Sequence, residues 1–366
     1  MKRLMLFFAA VLIIAAGCGK PAFRIGFVGG LTGKMSDLGI SGRNGLQLAV
    51  KNINEAGGIS GRPVELMIRN DKNDPRTAET AVRDLIDSGA DVIVGHMVSS
   101  MSLQTIPIVN KHQIPMISPT TSTPELSGRD DYFIRVMPEN TAEVRALVEF
   151  FVEKQNIRSA AAIIDLSNDG YTLPWWKTFQ TAFISRGGEV KNELFYDSEG
   201  DIDYAAIVRE AAAGRPEGLV LITNAFDTAM FCQQAAKQDI ASRIIPCGWA
   251  MTEDLIRHGG KTVEGLYFIT AIYSELESKE YVRFKREYSE QFGSPPDFAA
   301  VHAYDAAMLI RQACGEKKRE ESLKEAIVRI GTFSSLQGSL TIDKYGDAER
   351  EYHVIVIRDG AFVRRR

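Results

Sequence analysis

The sequence predicts an α/β protein with two lobes, each built on a doubly wound parallel sheet. Three observations support this: a length of 366 residues, an apolar content of 45%, and short β-branched runs that alternate with longer amphipathic segments. Domains average about 100 to 200 residues, so a chain of this length favours two. Parallel strands need crossover helices, and the repeated alternation therefore predicts sheets covered on both faces.

The first half of the chain carries four strand signals separated by helix signals. The first helix has a single apolar stripe from Leu46 to Ala56 and ends at Gly57, which suits a left-handed cap. Asp74 and Pro75 form a typical helix start. The predicted strands are residues 23–28, 63–69, 91–95 and 114–118, and a further helix is predicted over 100–111.

The second half repeats the pattern and ends in short strands. Predicted helices cover 141–155, 173–186, 203–213, 227–238, 277–292, 297–314 and 320–330. Predicted strands cover 160–164, 189–195, 218–223, 243–247 and 265–270, with short strands over 338–363. Ligands of open α/β sheets bind beyond the carboxyl ends of the strands, so we expect a site in the loops at those ends.

The N-terminus predicts export. Lys2 and Arg3 precede an apolar run from residue 4 to 17, which is shorter than the ~20 residues of a membrane span and is typical of a signal peptide over residues 1–17. Small residues then lead to Cys18, a pattern that resembles a bacterial lipoprotein processing site. We therefore expect a lipid anchor on Cys18, a linker over 18–22, and a periplasmic or cell-surface location.

Composition argues against several other classes of function. Lys plus Arg number 43 against 47 for Asp plus Glu, which leaves no positive excess to hold a nucleic-acid backbone. The histidines are scattered, no motif predicts a metal or a cofactor, and no nucleophile elbow is visible. The glycine-rich segment 29–33 fits neither nucleotide-binding pattern. Cys232 and Cys247 are either a disulfide or two buried thiols.

Two hydroxyl-rich loops are the strongest site signal. Ser99 and Ser100 follow the strand over 91–95, and Thr120, Thr121 and Ser122 follow the strand over 114–118. A single serine at a helix start is usually a cap. Two neighbouring strand ends loaded with hydroxyls instead predict a site where these groups and backbone N–H groups bind a carboxylate.

These features resemble the type I periplasmic binding proteins of the branched-chain amino acid class, which are solute receptors of ATP-binding-cassette (ABC) importers. The resemblance rests on the Gly29–Gly33 loop, Ile53–Ile59 with Gly61, Asn70-Asp71 with Asp74-Pro75, Val94-Gly95-His96, Ser99-Ser100, Pro119–Leu126, Ala303–Ala306 and Gly338–Asp343. It implies lobes joined by three crossovers near Met137, Thr270 and Tyr345, and a ligand trapped by hinge closure. The first lobe would be 23–137 plus 271–345 and the second 138–270 plus 346–366.

The resemblance also implies roles for single residues. Ser99 and Ser122 match residues that hold the ligand carboxylate, and Thr120 matches one that offers a main-chain contact. Asp169 stands where relatives place a tyrosine before the glycine, here Gly170, and Tyr171 lies one place beyond that glycine. Gly248 stands where relatives place an acid for the ligand ammonium. These departures leave the identity of the ligand open.

Asp169 and Asp227 are then the acids expected to meet a ligand ammonium. The alternative is that Asp227 caps the helix that it precedes and that Asp169 is an ordinary turn residue. An apolar pocket could be lined by some of four aromatic residues, with at most two of them in contact with the ligand. These are Trp175, Trp176, Phe226 and Trp249.

The sequence therefore predicts a non-enzymatic receptor that delivers a small carboxylate ligand, most simply an amino acid, to a membrane permease. One alternative is a receptor for an aromatic acid, an amide or a short peptide. Another is an exported enzyme that uses Asp169 or Asp227 as acid or base. A sensory role without transport is also compatible with the sequence.

Overall fold

The computed structural model describes residues 20–272 and 276–365. The predicted signal peptide and Cys18 lie outside the described residues. Within these two ranges, no helix has the length and the apolar character that crossing a membrane would require.

The first lobe is built on a five-stranded parallel sheet in the order β2-β1-β3-β4-β5. Its strands are β1 (Phe23–Gly29), β2 (Val64–Asn70), β3 (Val92–Val94), β4 (Met116–Ser118) and β5 (Phe133–Arg135). Its crossover helices are α1 (Ser36–Glu55), α2 (Pro75–Asp87) and α3 (Ser99–His112). As predicted, α2 starts at Pro75, and the Asp74 side chain caps it by accepting a hydrogen bond from Thr77 N.

The second lobe is built on a four-stranded parallel sheet in the order β7-β6-β8-β9. Its strands are β6 (Ser159–Asp165), β7 (Glu189–Tyr196), β8 (Gly218–Ile222) and β9 (Arg243–Pro246). Its helices are α4 (Asn140–Glu149), α5 (Asp169–Ser185), α6 (Tyr204–Ala211), α7 (Ala225–Lys237) and α8 (Glu253–Gly259). The two parallel-sheet lobes confirm the predicted fold class.

The C-terminal part of the chain contributes to both lobes. It comprises β10 (Tyr267–Thr270), α9 (Lys279–Phe292), α10 (Phe298–Glu316), α11 (Leu323–Ile330), β11 (Thr332–Ser335), β12 (Gly338–Ile342), β13 (Ala348–Glu349), β14 (His353–Arg358) and β15 (Ala361–Arg364). Helix α10 packs along α1, while β14 pairs with β10 and β15 in an antiparallel sheet. The buried side chain of Arg350 links α10 to the end of β5. It forms a 2.8 Å ion pair with Asp305 of α10 and donates a hydrogen bond to the Val136 carbonyl at 2.9 Å.

Short elements are where the sequence prediction fell short. Strand β5, helix α8 and strand β11 were not predicted, and residues 150–154 form a π-helical turn after α4. Elements of three to seven residues present too few turns or alternations for a periodic pattern to stand out. Cys232 and Cys247 are both buried free thiols, so the disulfide alternative is wrong.

Candidate functional site

Two loops at neighbouring strand ends of the first lobe carry the predicted hydroxyls. The loop after β3 runs into α3, which begins at Ser99, and the loop after β4 contains Thr120, Thr121 and Ser122. Strands β3 and β4 pair in parallel, so both loops leave the same edge of the sheet. All four of these side chains are buried.

Some of these hydroxyls serve to join the two loops. Thr120 Oγ1 donates to a carbonyl of the preceding loop at 2.6 Å, and Thr121 Oγ1 lies 2.7 Å from Ser102 Oγ. The hydroxyls of Ser99 and Ser122 differ, since neither has a hydrogen-bond partner among the described residues, and both residues face a cavity. Ser99 and Ser122 are therefore the hydroxyls that can bind a solute.

The cavity lies between the two lobes and has a volume of about 20 Å³. This is close to the space that one water molecule needs. Its first-lobe wall is formed by Leu38, Met97, Val98, Ser99, Thr120, Ser122 and Phe298. The opposite wall is formed by Asn168, Tyr171 and Trp249, and Met137, at the predicted crossover, lines the cavity between the two walls. Any solute larger than water must separate these walls.

Several hydrogen bonds close the cleft around this cavity. Ser100 Oγ donates to Asp169 Oδ1 at 2.8 Å, and so joins α3 of the first lobe to α5 of the second. Thr252 Oγ1, which precedes α8, donates to Asp37 Oδ2 in α1 at 2.7 Å. Burial raises the pKa of the Asp37 carboxyl group.

The two acids proposed for a ligand ammonium are not part of the cavity wall. Asp169 is exposed, and Asp227 is fully buried and accepts hydrogen bonds from the hydroxyls of Tyr196 at 2.8 Å and Tyr204 at 2.5 Å. The alternative that Asp227 caps α7 is wrong. The cap is Asn224, whose side chain accepts from the Asp227 backbone N–H at 2.9 Å.

Of the aromatic candidates, Tyr171 and Trp249 line the cavity and meet edge to face with ring centroids 6.0 Å apart. Burial raises the pKa of the Tyr171 hydroxyl well above its usual value, so this group stays neutral. Phe226 is half-buried against a histidine of α8 and is not in the cavity wall. Trp175 and Trp176 stack on a phenylalanine within α5 and belong to the core.

Sequence reasoning missed three polar residues near the cavity. Asn168 lines it, and its Oδ1 accepts a 3.2 Å hydrogen bond from the Ser100 backbone N–H. Asn140 and Glu143 lie on the buried face of α4. Burial, with a smaller contribution from the charge of Glu139, raises the pKa of Glu143 to about 8. The sequence signal that could have revealed Glu143 is the presence of a carboxylate on the apolar stripe of a helix.

Metal binding has no structural support in the described residues. In residues 20–272 and 276–365, no group of three or more His, Cys, Asp and Glu side chains could hold a metal ion.

The family model described as periplasmic binding protein matches residues 22–361. The chain is similar to a leucine-, isoleucine-, valine-, threonine- and alanine-binding protein of Pseudomonas aeruginosa, with 24% identity over 94% of this chain and 93% of the relative. It is also similar to the Leu/Ile/Val-binding protein of Escherichia coli, with 25% identity over 91% of this chain and 92% of that protein.

Solved structures share the fold. A leucine binding protein from Thermotoga maritima superposes with a TM-score of 0.86 and 26% identity, over 94% of this chain and 98% of that one. A solute binding protein from R. palustris in complex with benzoate superposes with a TM-score of 0.84 and 20% identity, over 94% of this chain and 95% of that one.

Proposed function

Because this chain belongs to the periplasmic binding protein family, we propose that it is an extracytoplasmic receptor that captures a small carboxylate ligand between its lobes. The ligand is most simply an amino acid, as in the names of the relatives from P. aeruginosa and E. coli. The receptor delivers this ligand to the permease of an ABC importer.

One observation carries the proposal: Ser99 and Ser122 are buried residues whose hydroxyls line the interlobe cavity and have no partner among the described residues. A carboxylate oxygen in the cavity would accept a charge-assisted hydrogen bond from each hydroxyl. Backbone N–H groups in the first turn of α3, which begins at Ser99, would add further donors.

Closure of the hinge couples binding to a change in shape. A ligand held by the first lobe would gain contacts with Tyr171 and Trp249 only when the second lobe closes over it. Binding therefore shifts the equilibrium between open and closed forms, which a permease can recognise. This mechanism uses no catalytic residue, and we propose that the protein is a receptor rather than an enzyme.

A receptor for an aromatic acid is the second candidate. It is favoured by the edge-to-face pair of Tyr171 and Trp249 in the cavity wall, since such rings pack well against an aromatic ligand. The two candidates share a carboxylate and differ in whether the ligand carries an ammonium group.

A thermal-shift screen against amino acids, aromatic acids and amides tests the proposal. A ligand present at 100 times its dissociation constant should stabilise the protein by about 2.7 kcal/mol. Recovery of one unmodified ligand per protein supports a receptor, whereas product that accumulates with time supports an enzyme. Stabilisation by no carboxylate in the screen contradicts the proposal.

We also propose that Cys18 carries a lipid that tethers the receptor to the membrane surface. Metabolic labelling with a fatty acid should mark the parent protein, and Cys18→Ser should lose the label. Undiminished labelling of the variant contradicts the anchor.

A further inference from the structure

Glu143 is a buried carboxylate that stands without a partner. Its side chain projects from α4 and only 5% of the residue is exposed. No hydrogen-bond donor and no cation pairs with it among the described residues. A buried carboxylate with no partner costs free energy and does not stabilise the fold. Such a group is a candidate for binding a ligand.

The position of Glu143 relates it to the cavity. A Cβ atom placed on Gly248 would lie 2.7 Å from Glu143 Oε1, so the carboxylate fills the space beside this glycine. The next residue, Trp249, lines the cavity, as does Tyr171. A charge on Glu143 is one of the causes that raise the pKa of Tyr171, after burial, so the two side chains lie near each other. The carboxylate therefore lies directly behind one wall of the cavity.

Asn140 extends this polar surface towards the first lobe. It lies one turn before Glu143 on the same buried face of α4, and both polar atoms of its side chain have no partner among the described residues. Its backbone N–H donates to the carbonyl of Ser122 at 2.9 Å. The side chain of Asn140 therefore lies between the predicted carboxylate site at Ser122 and the carboxyl group of Glu143.

We propose that Glu143, assisted by the amide of Asn140, binds the ammonium group of a ligand whose carboxylate is held by Ser99 and Ser122. This inference rests on the proposed function and narrows the ligand class to amino acids. Asp227 and Asp169 are less suitable partners for the ammonium, because Asp227 already accepts hydrogen bonds from two tyrosines and Asp169 is exposed.

A charged ligand would change the protonation of Glu143. Burial holds the pKa of the carboxyl group at about 8, so the group is mostly protonated near pH 6.5. An ammonium placed beside it favours the ionised form. Binding of an amino acid at pH 6.5 should therefore release about one proton, whereas binding of the same acid without its amine should release none.

The test compares matched probes by isothermal titration calorimetry. The probes are L-leucine with 4-methylpentanoate, and L-phenylalanine with 3-phenylpropanoate; each pair differs only in the amine. The parent should bind at least one amino acid about tenfold more tightly than its deaminated partner. Glu143→Gln should remove this preference and bind the deaminated acid as the parent does. Glu149→Gln, an exposed position of the same helix, is the matched control.

The outcomes separate the two proposals. If Glu143→Gln keeps the parent's preference for the amine, Glu143 is not its partner and the receptor function stands. If the parent binds deaminated acids as tightly as amino acids, the inference fails and an aromatic or aliphatic acid receptor is supported. Binding of none of the four probes contradicts the proposed ligand class together with the inference.

A second measurement does not depend on how the variant folds. Titrations of the parent in buffers with different ionisation enthalpies give the number of protons released. Release of about one proton on binding an amino acid, and of none on binding its deaminated partner, supports the inference. Equal release for both probes overturns it.

Discussion

Thr252 Oγ1 donates a 2.7 Å hydrogen bond to Asp37 Oδ2 across the cleft, and so joins the loop before α8 to the first turn of α1. Thr252 is buried and Asp37 is half-buried in this closed arrangement. The bond exists only while the lobes are together, so it contributes to closure rather than to the stability of either lobe.

Replacing Thr252 with valine should weaken ligand binding by opening the cleft. The variant keeps the shape of the side chain but leaves the Asp37 carboxyl group without its donor when the lobes close, at a cost of about 1 to 2 kcal/mol. We expect ligand affinity to fall by roughly five- to thirtyfold, measured by calorimetry. Thr181→Val on the exposed side of α5 is the control, and equal affinities of the two variants would contradict this role.

Ser99→Ala and Ser122→Ala should each lower the affinity for a carboxylate ligand. Each change removes one hydroxyl that faces the cavity, and a hydrogen bond to a charged group contributes about 1.5 to 3 kcal/mol. We therefore expect a loss of about tenfold or more for each variant in titrations with the ligand found by screening. Ser339→Ala, at an exposed position of β12, should bind as the parent does. An unaltered affinity in both cavity variants would refute the carboxylate site.

Glu143→Gln should make the protein more stable at alkaline pH. The folded chain holds the Glu143 proton with a pKa of about 8, against an ordinary value of 4.5. The folded form therefore binds this proton more tightly, and the parent's unfolding free energy falls as the pH rises between these values. Glutamine does not ionise, so the unfolding free energy of the variant does not fall in this way as the pH rises.

The difference in unfolding free energy between Glu143→Gln and the parent should be absent near pH 4 and reach at most about 5 kcal/mol above pH 8. Urea unfolding at both pH values measures it, with Glu149→Gln as the control. The titratable groups around Glu143 are Glu139, Tyr171 and Tyr352, and all three are present in both proteins. A difference that does not depend on pH would show that Glu143 is ionised in the folded protein.

Asp227→Asn should reduce stability and leave ligand affinity within about twofold. The carboxylate accepts hydrogen bonds from Tyr196 and Tyr204, and an amide in its place offers one acceptor fewer, at a cost of about 2 kcal/mol. Urea unfolding and calorimetry separate the two effects, with exposed Asp201→Asn as the control. A strong loss of affinity at unchanged stability would instead show that Asp227 takes part in ligand binding.

Asp169→Asn should lower ligand affinity and leave stability unchanged, the opposite of what we expect for Asp227→Asn. The residue is exposed and its carboxylate accepts the Ser100 hydrogen bond across the cleft. Weakening this bond should lower ligand affinity by roughly threefold and leave the unfolding free energy within about 0.5 kcal/mol of the parent. A variant that is clearly destabilised in urea would show that Asp169 supports the second lobe itself.

The sequence predicted the parallel-sheet lobes because amphipathic helices repeat their apolar residues with a clear period, as α2 does over Pro75–Asp87, where Ala78, Ala81, Val82 and Leu85 are buried. The sequence also predicted that Ser99 and Ser122 lie close together, because the loops that follow neighbouring parallel strands leave the same edge of the sheet. Glu143 could not be found in this way. Its relation to Gly248 depends on how α4 packs against a loop far along the chain, and no local pattern encodes that packing.

The Glu143 carboxylate occupies the volume into which any side chain at position 248 would grow. Installing an aspartate there to strengthen amine recognition would press two negative charges together away from water, and one of them would have to take up a proton. Redesign of this receptor for new solutes would thus have to treat α4 and the loop at Gly248 together, because a side chain at position 248 would displace the Glu143 carboxylate.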